Sequence, residues 1–123
     1  IRSRLPRRNI SKKLKNLSFQ IPSIIASTAY VSDKSMIGEG TIIMNNTFIN
    51  SNVKIGNNNI INTGCIIEHD TKIGNDNHIS TSCVVNGNVC IGNGNFIGSN
   101  SVVNNNVTIK NNRIIPSLSR INL

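Results

Sequence analysis

Every sixth residue from Ile25 to Ile121 is isoleucine or valine, at seventeen consecutive positions without an exception. A helix buries a residue at every third or fourth position and a plain strand at every second, so an unbroken period of six fits neither. It requires short strand segments separated by corners. The residue four places after each anchor is usually small or short, as at Ala29, Ser35, Thr41, Thr47, Val53, Cys65, Thr71, Cys83, Val89, Ser101 and Val107. Between the anchors stand turn formers, as in Ile55-Gly56-Asn57-Asn58 and Ile73-Gly74-Asn75-Asp76. Glycine and asparagine tolerate positive φ and support tight turns, which a corner in every hexapeptide demands.

Self-similarity at a fixed short period marks a solenoid in which each coil stacks on the last, here a parallel β-helix. The chain is all-β apart from its beginning, and 123 residues give one solenoid domain, residues 21–123. Seven of the thirteen basic residues fall within the first fifteen positions, and the remaining six face five acids, so the solenoid itself is near neutral. A basic tail attracts nucleic acid or a membrane surface, but one Tyr, three Phe and no Trp offer little platform for stacking bases. Nucleic acid is therefore not the expected partner. There is no apolar run long enough to span a membrane and no secretory pattern, and the expected compartment is the cytoplasm. Three cysteines, an odd number, argue against a disulfide framework; Cys65 and Cys83, eighteen apart, read as stacked buried thiols.

Residues 1–20 lie outside the repeat. Ile10, Leu14 and Leu17 are spaced for one face of a short amphipathic helix after Pro6, with Asn9 or Ser11 as its cap and basic residues between. Such a helix has little to pack against alone, so this segment reads as the last helix and linker of a missing N-terminal domain.

Both histidines of the chain fall within Ile66–Ile79. His69 lies two places after the inward Ile67, at a corner, where it can point outward. Imidazole is suited to taking a proton near neutral pH, and a neighbouring carboxylate, Glu68 or Asp70, can fix its tautomer. If a coil has eighteen residues, Gly87 stands directly above His69, leaving space beside the ring and a backbone N–H of the kind an oxyanion site requires. His78 precedes the inward Ile79 and so points out of the prism, in the column Ile42, Ile60, His78, Phe96, Ile114.

The hexapeptides, the run Ile67-Glu68-His69-Asp70, His78 nine residues later and Asn86-Gly87-Asn88 together resemble the hexapeptide-repeat acyltransferases. The resemblance is to the branch of bacterial sugar acetyltransferases typified by sialic-acid O-acetyltransferase and UDP-N-acetylbacillosamine N-acetyltransferase. It covers about residues 20–115 and implies a triangular, left-handed β-helix with eighteen residues per coil. It also implies the roles: His69 as general base, Asp70 orienting it, Gly87 offering its N–H to the oxyanion, and His78, Gly98 and Ser99 along acetyl-CoA. The cofactor would lie between neighbouring subunits of a homotrimer, the acceptor would be an amino or hydroxyl group of a bacterial surface-glycan sugar, and no metal would be needed. The chain departs from that family in two places: residues 1–20 would be only a remnant of the N-terminal sugar-nucleotide-binding domain that members carry, and Ile115-Pro116-Ser117 stands where members keep glycines.

Two other classes share the solenoid. A γ-class carbonic anhydrase needs three zinc-ligating histidines, and this chain has two. A truncated, non-catalytic trimeric scaffold is the alternative to the enzyme.

Overall fold

A computed structural model describes residues 4–123. One helix, α1 (Arg4–Asn16), precedes seventeen two-residue strands that run from Ile24–Ile25 to Arg120–Ile121. The strands form three parallel sheets in which each strand pairs with the strand three along the chain. The register is eighteen residues throughout, as in Ile24↔Ile42, Val84↔Val102 and Lys54↔Lys72. The molecule is a left-handed parallel β-helix of between five and six coils, with one sheet on each side of a triangular prism. In each strand the first residue faces out and the second faces in, so the anchors from Ile43 to Ile109 are buried.

The third residue after each anchor adopts the left-handed conformation, from Gly40 and Asn46 to Asn112 and Leu118. The sequence supplies Gly, Asn or Asp at nearly all of these places because other residues resist positive φ. The inward short residues do more than fill space. Thr41, Thr47 and Thr71 each donate a hydroxyl hydrogen bond to a carbonyl fifteen residues on, that of Gly56 at 2.8 Å, Asn62 at 3.0 Å and Asn86 at 3.0 Å. The Cys65 and Cys83 thiols take the equivalent place towards the carbonyls of Ser80 and Gly98.

In the corner between the third and first sheets the inward position holds Thr41 and then asparagine on the next three coils, at 59, 77 and 95. Buried Asn59 donates to the carbonyl of Gly74 at 2.8 Å and accepts from the N–H of Asn77 at 2.8 Å; Asn77 repeats both bonds one coil on, with Gly92 and Asn95. Buried polar groups are as a rule partnered, and stacking meets that condition at Asn59 and Asn77; Asn95 accepts from the Arg113 N–H, but its Nδ2 is without a partner among the described residues. A second ladder runs outside it, with Asn75 Oδ1 accepting from the N–H of Asn57. That oxygen explains the glycine column: a Cβ on Gly56 would fall 2.4 Å from it.

Helix α1 departs from the expected arrangement in three ways. It contains Pro6 instead of following it, because a proline in the first turn sacrifices no helical hydrogen bond. Asn9 and Ser11 therefore lie inside the helix and do not cap it. The helix also packs on its own solenoid: Arg7, Ser11 and Leu14 turn inward, whereas Ile10 and Leu17 stay exposed. The surface it meets, the third-to-first corner, presents carbonyls and carboxylates, so a polar stripe docks there. Arg8 pairs with Asp76 at 3.4 Å and Lys15 with Glu39 at 2.9 Å. The end of α1 is closed by Ser18 in the left-handed conformation, with the Phe19 N–H bonded back to the Leu14 carbonyl.

Candidate active site

The corner between the second and third sheets carries Glu68-His69-Asp70-Thr71 on one coil and Asn86-Gly87-Asn88-Val89 on the next. The backbone fastens these coils together: the His69 carbonyl accepts from the Asn88 N–H at 2.9 Å, and the Asp70 N–H donates down to the Ser51 carbonyl at 3.1 Å. His69 is exposed, and its ring lies flat against Gly87. An ideal Cβ on that glycine would stand 2.7 Å from Cε1 and 2.8 Å from Nε2 of the imidazole. No other residue type leaves this room.

Of the two acids flanking His69, the structure selects Asp70. Its Oδ2 is 2.9 Å from His69 Nδ1, whereas Glu68 is engaged by Asn50 Nδ2 at 2.6 Å. Asp70 occupies the left-handed corner position, φ 61°, and its other oxygen accepts from Asn52 Nδ2 at 2.6 Å. These two hydrogen bonds, the one from Asn52 first and that to His69 second, hold the Asp70 carboxyl below its ordinary pKa. An ionised carboxylate has no proton to give, so His69 Nδ1 is the donor and Nε2 keeps a free lone pair. The Gly87 N–H donates to no acceptor among the described residues, whereas the N–H at the same corner position two coils below, that of Ser51, is taken by Asn50 Oδ1 at 2.7 Å.

His78, Gly98 and Ser99 are elsewhere. His78 stands on the outer face of the first sheet, with Ile60 below it and Phe96 above, its ring edge-on to the Phe96 ring at 5.4 Å and 88°. Its Nε2 is 3.4 Å from Asn62 Nδ2. Burial, and then the nearby Arg7 cation, push its pKa down. Gly98 and Ser99 lie in the corner between the first and second sheets, where the Ser99 hydroxyl is 2.9 Å from that of Ser80. Gly98 has a packing role of its own, since a Cβ there would come within 2.3 Å of Ser117 N.

The six candidates thus form two groups. His69, Asp70 and Gly87 share one corner; His78, Gly98 and Ser99 share the sheet and corner on the opposite side of the prism. Two supporting residues were not anticipated, Asn52 under Asp70 and Asn62 beside His78. Counting back eighteen from Asp70 finds the first. The second needs the side-chain direction at a corner, which spacing does not supply.

A model of the bacterial transferase hexapeptide family, six repeats long, matches residues 34–69 and again 70–105. No curated protein matches the chain. Among solved structures, the acetyltransferase domain of PglB from Neisseria gonorrhoeae superposes with a TM-score of 0.95 at 25% identity, over 97% of this chain and 58% of that one. The same domain in complex with acetyl coenzyme A gives 0.91 at 24% identity, over 96% and 60%. WeeI from Acinetobacter baumannii gives 0.78 at 20% identity, over 98% and 64%. The chain therefore spans less than two thirds of the length of these structures. Among the described residues, no helix is long and apolar enough to cross a membrane.

Proposed function

Since the chain belongs to the bacterial transferase hexapeptide family, we propose that it is an acetyltransferase that moves the acetyl group of acetyl-CoA to an amino or hydroxyl group of a bacterial surface-glycan sugar, free or nucleotide-linked. The observation that carries this reading is the corner itself: an exposed imidazole with Nδ1 on a carboxylate, its free Nε2 edge beside a glycine whose N–H is unspent.

The steps follow from that geometry. His69 Nε2 accepts the proton of the acceptor amine or hydroxyl as the acceptor atom bonds to the acetyl carbon. Asp70 stabilises the imidazolium that forms and keeps its ring from turning. The Gly87 N–H hydrogen-bonds the oxygen that becomes negative in the tetrahedral intermediate. As the carbon–sulfur bond breaks, His69 returns the proton to the departing thiolate.

The second group of residues joins this one through a neighbouring subunit. The outer faces of the first and second sheets are apolar apart from His78 on the first and Arg120 at the end of the second, with Ile24, Ile42, Ile60, Phe96 and Ile114 on one and Tyr30, Phe48, Ile66, Val84 and Val102 on the other. The third carries Lys54 and Lys72. Exposed apolar faces mark contact surfaces, and a closed ring of identical chains covers both at once. In a homotrimer with the first-to-second corners towards the axis, the His78 face of one subunit lies across from the His69 corner of the next. His78, Gly98 and Ser99 then line the cleft that takes the acetyl-CoA arm. Acetyl-CoA as co-substrate places the reaction in the cytoplasm.

The test is release of free CoA from acetyl-CoA by the purified protein, followed chromatographically with nucleotide-linked amino sugars and with sialic acid as acceptors. Acceptor-dependent release with matching acetylated sugar supports the reading. Release no faster than buffer with every acceptor contradicts it and favours a scaffold.

A further inference from the structure

Helix α1 bonds to the residue that precedes His78 through the Arg7 side chain. Arg7 donates from Nη1 to the carbonyl of Asn58 and, at 3.2 Å, to its Oδ1; Nη2 lies 3.5 Å from the carbonyl of Asn77, the residue before His78. Arg7 Nε and His78 Nδ1 are both buried and without a partner among the described residues. Burying polar atoms in this way costs free energy, and here both belong to one junction between α1 and the first sheet.

The tautomer of His78 follows from its other neighbour. Asn62 Oδ1 is occupied by the Thr63 N–H at 2.8 Å, so the amide nitrogen is what faces His78 Nε2. A nitrogen that faces a donor must be the acceptor, and the neutral ring therefore carries its proton on Nδ1. Protonating Nε2 as well would set two donors against each other and add a second positive charge beside Arg7. Among the described residues, the other charges at this junction are Arg8 on α1 and Asp76 on the corner, and they are paired with each other. Phe96 above and Ile60 below bring none.

We propose that Arg7 is a positioning residue for His78, its guanidinium clamping α1 onto the carbonyls of Asn58 and Asn77 and so fixing how the imidazole sits on the outer face of the first sheet. A ring held neutral and fixed in place would give the acetyl-CoA arm an uncharged wall on this face. That consequence rests on the acetyltransferase reading; the clamp does not.

The chain has two histidines, so the imidazole protons give two NMR titration curves, assigned with His78→Gln. In the parent, His78 titrates below the ordinary histidine range. Arg7→Met is expected to raise its midpoint, because the cation that adds to the effect of burial is gone. Arg7→Lys, which restores the charge but not the two-carbonyl fork, is expected to fall between. In acetyl transfer Arg7→Met is expected to raise the KM for acetyl-CoA several-fold with kcat within about twofold, the pattern of lost ground-state binding. An unmoved His78 midpoint in Arg7→Met, with an unchanged unfolding temperature showing the solenoid intact, would overturn the inference. If the parent releases no CoA, the acetyltransferase reading fails while the titration still decides the clamp.

Discussion

His69→Ala is expected to lower kcat/KM for acetyl transfer by about 10²- to 10⁴-fold, the range that a positioned general base supplies. Stability should hardly change. The ring is exposed, with 57% of its side-chain surface in solvent, and the coils at this corner are joined by backbone bonds that an alanine preserves. Surface substitutions of this kind usually stay within about 0.5 kcal/mol of the parent. Parallel measurement of kcat/KM and of thermal unfolding separates the two effects. A variant as active as the parent would show that another group takes the proton; a variant that unfolds would show that the ring is a structural part of the corner.

Gly87→Ala is the sharper of the two tests, because it leaves every functional atom in the chain. Only Gly40, Gly64 and Gly94 among the glycines have positive φ, so the backbone at 87 accepts an alanine without strain. What does not accept it is the imidazole, whose Cε1 and Nε2 would stand under 3 Å from the new methyl group. The ring is on the surface and can turn away, at the expense of its bond to Asp70 and of the place of Nε2. A displacement of about 1 Å at a reacting atom costs on the order of 10²-fold in rate, and a loss of that size in kcat is expected with the unfolding temperature nearly unchanged. Unaltered kinetics in Gly87→Ala would mean that the contact between ring and glycine has no part in the reaction.

The period of six carried most of the fold because a solenoid repeats one local solution, and the eighteen-residue coil that the family resemblance implies put Gly87 over His69, as the structure has them. The chain did not show which acid serves His69. Glu68 and Asp70 are both adjacent, and the choice depends on a left-handed backbone at Asp70 that aims its carboxylate at Nδ1, while Asn50 draws Glu68 away. Nor did it show the asparagines at 59, 77 and 95 as buried, since asparagine at a corner reads as a solvated turn residue until the coils above and below are seen to satisfy it, as they do in full at Asn59 and Asn77. The helix was legible as a helix, but its docked face was not. An apolar stripe is the usual guide to the buried side, and here the corner beneath offers carbonyls and acids, so Arg7, Arg8 and Lys15 make the contacts while Ile10 and Leu17 face outward.

Within one chain His69 and His78 lie on opposite sides of the prism, so the account stands on the site being shared between subunits. Co-expressing His69→Ala and His78→Ala chains in equal amounts tests this directly. Where the variants are separately impaired, random assembly around a threefold axis gives both wild-type histidines to about a quarter of the clefts, and the mixture should recover about a quarter of the parent rate. A mixture no more active than the average of its two components would contradict a shared site.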